Sequence, residues 1–299
     1  MRKVLLLFCA LTSTVLANAQ MLLVEPGADD PMLLHFNPEF IARNSVKSVS
    51  GQVWTKQEGR PMVPLDRFFS YAFGDGGRLG SSNSTIGKPG SGGDTASVMY
   101  SYDGSGHLLQ ELHNDVNGFY ALRTEYDPVG RPIHVTNVRL ENLSGDRSRF
   151  VEGNSTIISD ERYQYITLND TMWRKTFLND RGRPYQEETY TKDKLGYLRS
   201  IEAHNLITQR RGRTAFNYDA KGRLAQRMEQ TDLGTPANTT WEWTYDMAGN
   251  PLARDLSRNG VLMRHSEFLY AEGTLFLKAV LTKNNETGLI EVVRYETAR

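Results

Sequence analysis

Apolar and polar residues alternate with a period of two along much of the chain. Trp241, Trp243 and Tyr245 are separated by single polar residues, and Phe216 and Tyr218 flank an asparagine in the same way. A period of two is typical of a β-strand that buries one face. The pattern therefore predicts a mostly β chain of antiparallel strands with one dry face.

A short motif recurs between these alternating stretches. "FNYDAKGRL" starts at Phe216, "WTYDMAGNP" at Trp243 and "YSYDGSGHL" at Tyr100. An aspartate can accept hydrogen bonds from N–H groups ahead of it, and a glycine three residues later suits a type I turn with a bulge. Each motif therefore predicts a β-hairpin, with structural turn residues at Asp103, Gly106, Asp127, Gly130, Gly182, Asp219, Gly222, Asp246 and Gly249.

The motif glycines recur at intervals of 24, 26 and 27 residues, from Gly106 to Gly130 and from Gly196 through Gly222 to Gly249. Such periods indicate a repeat architecture with one hairpin in each repeat. A single sheet cannot leave a face rich in tyrosine and tryptophan in water. We therefore predict a meander of hairpin repeats that forms a strongly curved sheet or partial barrel, with the motif tyrosines inward.

The residues next to the turns also predict which face each side chain occupies and where each return strand begins. Leu224 and Met228 are four residues apart, so strict alternation places them on one face. Pro132, Pro184 and Pro251 each stand two residues after a turn glycine. Because proline cannot donate to a strand ladder, each should mark the start of a return strand.

Residues 20–65 precede the repeats and form a separate segment in this interpretation. A short helix is predicted from about Pro38 to Arg43, with Asn37 as its N-cap, followed by a strand that carries Val49 and Val53. Residues 66–299 form the hairpin repeat domain. Within it, residues 74–97 are rich in glycine and serine, which predicts a flexible loop.

The first residues predict a secretory signal peptide at 1–19. Arg2 and Lys3 begin it, an apolar stretch follows, and "ANAQ" provides the small residues that signal peptidase requires, so cleavage is expected before Gln20. Cys9 is the only cysteine and leaves with the signal. The exported chain is then expected in the periplasm or outside the cell, held together without disulfides.

Charge narrows the range of partners. The chain has 35 basic and 35 acidic residues, and removing Arg2 and Lys3 leaves 33 against 35. A balanced chain is not expected to bind nucleic acid, which needs a basic surface, and an anionic lipid is disfavoured for the same reason. No later apolar run is long enough for a transmembrane segment after signal cleavage.

The Tyr-Asp-x-x-Gly-Arg-Leu motif resembles the YD-repeat, or Rhs-repeat, family. "YDAKGRL" matches it fully, whereas "YDPVGRP", "YDGSGHL" and "YDMAGNP" match with one or two changes, and the resemblance covers roughly residues 66 to 299. In large members of that family such strands spiral into a hollow shell around a toxic C-terminal domain. This chain resembles the short exported members without a toxin domain.

The sequence contains no obvious catalytic constellation. None of its six histidines pairs at metal-ligand spacing, a Gly-x-Ser-x-Gly motif is absent, and the motif aspartates already have a structural role in their turns. We therefore predict no catalytic, metal or cofactor-binding residues, and no cofactor. The four tryptophans could stack on sugars, although burial in the core is the stronger expectation; they are Trp54, Trp173, Trp241 and Trp243.

Three functions fit this picture. The first is a non-enzymatic structural or interaction protein of the bacterial cell envelope, whose partner is an unknown envelope protein. The second is a glycan-binding protein that uses aromatic residues of the sheet. The third is a polysaccharide-active enzyme, which would need two carboxylates facing one cleft. The first is the main hypothesis, because it requires no catalytic group.

Overall fold

The computed structural model describes residues 20–57, 59–85, 95–146 and 149–299. The predicted signal peptide lies outside these residues. No helix in these four ranges is long and apolar enough to cross a membrane. The described chain is mostly β, with one short α-helix (α1, Pro38–Arg43) and one 3-10 turn (Asp75–Gly77). The strands are β1 Leu22–Leu23, β2 His35–Phe36, β3 Ser48–Lys56, β4 Val63–Phe73, β5 Leu79–Thr85, β6 Thr95–Tyr102, β7 Leu108–Asp115, β8 Gly118–Tyr126, β9 Pro132–Asn142, β10 Glu152–Asn169, β11 Met172–Leu178, β12 Pro184–Lys192, β13 Leu198–Asn205, β14 Arg211–Tyr218, β15 Leu224–Gln230, β16 Thr239–Tyr245, β17 Pro251–Arg258, β18 Val261–Tyr270, β19 Leu277–Asn284 and β20 Ile290–Ala298.

Strands β3 to β20 form a closed barrel of 18 strands. Each pairs antiparallel with the next, and β20 pairs antiparallel with β3 from Ile290↔Lys56 to Ala298↔Ser48. The predicted antiparallel meander is confirmed, whereas the prediction of an open curved sheet or partial barrel is wrong. Closure removes the two free edges that an open sheet would expose.

The loops divide between two ends of the barrel because consecutive strands run in opposite directions. Turns that follow even-numbered strands lie at one end, which we call the motif end since it carries the turns at Asp103, Asp127, Asp219 and Asp246. Helix α1 lies there too: its Phe40 ring packs 5.8 Å from Phe276 in the turn after β18. Turns after odd-numbered strands lie at the opposite end, the loop end.

One motif turn shows why the residues recur. The Oδ1 atom of Asp219 accepts from the N–H groups of Lys221 at 2.9 Å and Arg223 at 3.0 Å. Its Oδ2 accepts from Arg223 Nε at 2.7 Å. Gly222 has φ +78°, a conformation that a side chain disfavours. The conformation of the turn is thus set by the aspartate and the glycine together.

The motif tyrosines connect neighbouring hairpins. The hydroxyl of Tyr218 donates to the carbonyl of Leu198 at 2.8 Å, and that of Tyr245 donates to the carbonyl of Leu224 at 2.5 Å. Both acceptors lie at the start of the return strand of the preceding hairpin. The same bond is made by Tyr102, Tyr126, Tyr165 and Tyr270.

The segment before the barrel forms a hairpin, which we call the N-terminal hairpin (residues 20–36, with β1 paired to β2). The Phe36 ring packs 4.9 Å from Tyr71 on β4, whereas Asp29 and Tyr190 on β12 line the same cavity. By the shorter way round the barrel, through β5 to β11, these two strands are eight strand spacings apart, or about 38 Å along the sheet. Residues 29 to 36 span at most about 25 Å, so they can reach both strands only from the concave side. The hairpin therefore lies in the lumen.

Two lumenal clusters form around the hairpin. Met21 and Ile41 are fully buried together with Val49 and Leu277, and Trp241 and Trp243 are buried beside Phe216 and Leu224. A third cluster lies on the outer face, where the loop after β9 places Phe150 against Leu112, Phe119, Ala121, Val138 and Leu140. The tyrosine face is thus inward, but the outer face is not uniformly polar.

Three local predictions need correction. Within residues 74–97, predicted as a flexible loop, Leu79–Thr85 form strand β5 and β6 begins at Thr95, while residues 86–94 lie outside the described ranges. Leu224 and Met228 do not share a face: Leu224 is buried in the lumen, whereas Met228 is 39% exposed. Strand β3, predicted as part of a separate segment, lies in the barrel between β20 and β4.

Candidate functional site

The lumenal face of β10, β11 and β12 presents aromatic and charged side chains that are only half-buried. Three cross-strand rows place them together, and we call this surface the open wall. The rows are Tyr163–Phe177–Gln186, Tyr165–Lys175–Glu188 and Thr167–Trp173–Tyr190. Arg131, at the turn after β8, stacks over Tyr165 at 4.6 Å, as motif arginines do elsewhere on the barrel.

Tyrosine hydroxyls hold both carboxylates of the wall. Glu161 accepts from Tyr163 at 2.9 Å through Oε2 and from Tyr185 at 2.5 Å through Oε1. Glu188 accepts from Tyr190 at 2.6 Å, and its other oxygen accepts from Gln186 at 3.1 Å. Burial and the adjacent glutamates raise the pKa of Tyr163, Tyr185 and Tyr190, so these hydroxyls remain protonated donors.

Lysines cover the aromatic rings of the wall. Lys175 Nζ lies 3.7 Å from the ring centroid of Tyr163 and 4.3 Å from that of Phe177. Burial lowers the pKa of Lys175, while Glu188, Glu161 and Asp29 oppose that shift. Lys192 Nζ lies 4.9 Å from the Trp173 ring, whose plane is stacked on Tyr190 at 4.9 Å. Cation–π contacts therefore occupy ring surfaces that a sugar would need.

A cavity of about 340 Å³ separates the open wall from the N-terminal hairpin. Glu188 and Tyr190 line one side and residues 26–29 of the hairpin line the other. Arg227 also lines it, and its guanidinium donates to the carbonyls of Pro26 and Ala28. The wall thus faces accessible space inside the barrel.

The predicted glycan-stacking tryptophans separate into three environments. Trp241 and Trp243 are 8% and 6% exposed and lie in the core beneath the hairpin. Trp173 belongs to the open wall. Trp54 lies on the outer face of β3, where Arg294 covers its ring at 4.6 Å. The four tryptophans therefore do not form one platform.

The predicted turn residues lie together at the motif end, apart from Gly182, whose turn follows β11. Gly106, Gly130, Gly182 and Gly249 have φ values of +94°, +81°, +69° and +95°. Asp103 and Asp127 each accept from the N–H groups two and four residues ahead. Asp246 accepts from the N–H of Asn250 and from its side chain. The turn of Asp127 and Gly130 touches the open wall through Arg131, and the turn of Gly182 joins two strands of the wall.

Sequence reasoning did not identify the open wall. The stretches "YQY" at Tyr163 and "YQEETY" at Tyr185 alternate in the same way as the core strands, so a buried interpretation fits equally well. These strands differ from the core strands because the N-terminal hairpin does not cover their lumenal face. Whether it covers them depends on where the hairpin lies in the barrel. In the described parts of the chain, no group of three or more His, Cys, Asp or Glu could hold a metal ion.

Comparison with known proteins gives no family. No family model matches the chain, and no curated protein matches it. Among solved structures, a porin-like protein from Bacteroides uniformis matches at 12% identity and TM-score 0.39, over 85% of this chain and 96% of that one. A LolA superfamily protein from Nitrosomonas europaea matches at 11% identity and TM-score 0.20, over 88% and 90%. A TcdB2-TccC3 crystal structure matches at 15% identity and TM-score 0.30, over 78% and 15%.

The assignment to the YD-repeat family is wrong. No family model matches the chain. The sheet also closes on itself after 18 strands, whereas the resemblance implied a spiralling shell. The recurrent motif is explained by the turn and tyrosine contacts described above.

Proposed function

We propose that this chain is an exported, non-enzymatic interaction protein of the bacterial cell envelope, and that it holds a partner against the open wall inside its barrel. The observation that carries the proposal is the group of half-buried side chains Tyr163, Trp173, Lys175 and Tyr190 on one lumenal surface, of which Tyr190 lines a cavity of about 340 Å³. The opposite side of the lumen is already filled by the hairpin.

The chemistry of the wall supports binding over catalysis. A glycosidase pair needs one carboxyl group able to give a proton and a second free to act as base or nucleophile. Both oxygens of Glu161 and both of Glu188 already accept hydrogen bonds from neighbouring side chains. These bonds hold the carboxylates in place as acceptors.

The outer face of the strands supports a barrel that stands in water. Cross-strand polar pairs occur there along the barrel wall: Glu202 with Arg213, Gln226 with Glu242, and Asp255 with His265. A lipid-facing wall would instead carry an apolar band about 25 Å tall. We therefore place the protein in an aqueous compartment of the envelope.

A glycan is the second candidate for the ligand. Trp173 and Tyr190 give a flat aromatic surface next to hydroxyl, amide and carboxylate groups that could bind sugar hydroxyls. Lys192 covers the Trp173 ring at 4.9 Å, so a stacked sugar would have to displace it. This requirement makes the glycan the less favoured ligand.

Site-specific photo-crosslinking tests the proposal. A photoreactive residue at Trp173 faces the lumen, and the same residue at Arg174 faces outward one position later, which makes it the matched control. In the exporting bacterium, we expect an adduct from position 173 and none from 174. A protein adduct supports the main proposal and a sugar adduct the second candidate. Adducts from 174 alone, or from neither position, would contradict binding at the open wall.

A further inference from the structure

Four neighbouring loops at the loop end share an unusual surface. They follow β13, β15, β17 and β19 and comprise residues 206–210, 231–238, 259–260 and 285–289. We call these loops and the strand residues that adjoin them the loop arc. Neighbouring loops are two strand spacings apart, or about 10 Å. The arc is at the end of the barrel opposite α1.

An exposed apolar side chain lies in or next to each loop. Ile207, Leu233 and Leu289 lie in the loops and are 75%, 46% and 43% exposed, whereas Val261, the first residue of β18, is 62% exposed. The loops do not need these side chains to fold. In the first loop, for example, the Oδ1 atom of Asn205 accepts from the N–H groups of Ile207 and Thr208, and the isoleucine side chain takes no part.

Basic residues surround these apolar side chains. Arg210, Arg211, Arg258 and Lys283 are exposed, and none forms an ion pair with another residue of the described chain. Within two residues of these loops lie four carboxylates, but Glu229 and Glu291 are ion-paired with Arg227 and Arg67. In the described chain this leaves four unpaired cations beside two unpaired carboxylates, Asp232 and Glu286.

We propose that the loop arc docks on an anionic lipid surface. Single apolar side chains about 10 Å apart, separated by polar loops, suit a fluid interface that each can enter independently. Adjacent arginine and lysine side chains attract acidic headgroups. The overall charge balance disfavoured such a surface, but four unpaired basic groups lie together at this part of the described barrel.

A second copy of the chain is a poorer occupant. A mouth-to-mouth dimer would bring the cations of two arcs face to face, and like charges across an interface are unfavourable. Isolated apolar tips would also bury little area against a rigid partner compared with about 800 Å² per side in a stable complex.

Vesicle co-sedimentation tests the proposal with the chain from Gln20 to Arg299. Vesicles of phosphatidylcholine alone are compared with vesicles that also contain phosphatidylglycerol. We expect preferential sedimentation with the anionic vesicles. Ile207→Asn with Val261→Asn should weaken this binding at least about fivefold. Arg210→Gln with Arg258→Gln should remove the preference for phosphatidylglycerol.

The matched control uses the motif end. Leu195 and Met247 are 82% and 95% exposed there, and Leu195→Asn with Met247→Asn should leave vesicle binding unchanged. Circular dichroism melts check that all variants are folded. Equal binding to both vesicle types, or equal loss in the control, would overturn the proposal. So would sedimentation-equilibrium dimers abolished by the arc variants in the absence of vesicle binding.

Discussion

At the scale of single residues, the motif turns depend on two separate constraints. Gly222 has φ +78°, and a Cβ at this position would also lie 2.0 Å from the Tyr197 hydroxyl. Gly182 has a similar φ of +69°, but nothing lies within 4 Å of its Cβ position. The left-handed conformation is therefore common to the turns, while close packing behind the glycine is local.

The turn carboxylates make stability depend on acid. The side-chain hydrogen bond from His107 lowers the pKa of Asp103 to about 2, and backbone and side-chain bonds from Arg131 lower that of Asp127. A depressed folded pKa contributes stability above the unfolded value of 3.8, and that stability is lost as pH falls through the folded value. We expect the urea concentration at the midpoint of unfolding to decrease as the pH is lowered from about 4 to about 2.

A variant without these carboxylates provides the comparison. Asn179 already accepts from the N–H groups of Arg181 and Arg183 in its own turn, so an asparagine can serve this role. Asp103→Asn with Asp127→Asn should fold and should lose less stability than wild type over the same acid range. If the midpoint of urea unfolding decreases as much with pH in this variant as in wild type, these two carboxylates do not cause the acid dependence of stability.

At the scale of elements, the sequence predicted the antiparallel meander and the short helix correctly, but not which face every side chain occupies. Each motif hairpin contains one extra residue after its turn: Tyr218 pairs with Leu224, but Asn217 pairs with Gln226. This bulge shifts the alternation by one and places Met228 outside. The return strands still begin at Pro132, Pro184 and Pro251. A period-two pattern cannot show such a shift, because it depends on hydrogen-bond register.

The open wall was unpredictable for a different reason. Trp241 and Trp173 lie in strands with the same alternation, yet Trp241 is 8% exposed under the hairpin, whereas Trp173 is only half-buried and lies opposite Tyr190, which lines the cavity. Their difference depends on where residues 20–36 lie after the barrel closes. Local sequence therefore indicates which residues share a face, but not which part of that face is covered.

The N-terminal hairpin makes a sharp prediction at this scale. Asn250 occupies the position where "YDAKGRL" has Arg223; it is fully buried, and its Oδ1 accepts from Met21 N–H at 2.9 Å. Asn250→Arg would improve the match to the motif but place a larger cation against the hairpin. We expect a loss of about 2–3 kcal/mol in the free energy of unfolding. Tryptophan emission should shift to the red as Trp241 and Trp243 are uncovered.

His107→Arg is the matched control. His107 occupies the same motif position, is only partly buried, and stacks on Tyr126 at 4.9 Å without touching the hairpin. Arginine should replace it with little change in stability, because Arg223, at the same motif position four hairpins further along the chain, stacks over Tyr245 at 4.5 Å. Equal losses from the two substitutions would contradict docking of the hairpin at Asn250.

At the scale of the whole molecule, closure connects the other features. The pairing of β20 with β3 creates a lumen, and the lumen explains both the buried hairpin and the exposed aromatic residues of the open wall. In an open spiral, β3 would pair only with β4 and β20 only with β19, so each would have one free edge. Closure is therefore the claim on which the proposed site depends.

A disulfide across the β3–β20 seam tests closure most directly. The chain from Gln20 onward has no cysteine, and Ser50 lies directly opposite Glu296. Such pairs have Cα atoms about 4.5–5.5 Å apart, within disulfide range.

Leu269 provides the control partner, because it lies three strands from β3, about 14 Å away. We predict that Ser50→Cys with Glu296→Cys forms an intramolecular disulfide that speeds migration on a non-reducing gel, whereas Ser50→Cys with Leu269→Cys does not. Two free thiols in the folded Ser50–Glu296 variant would contradict the closed barrel.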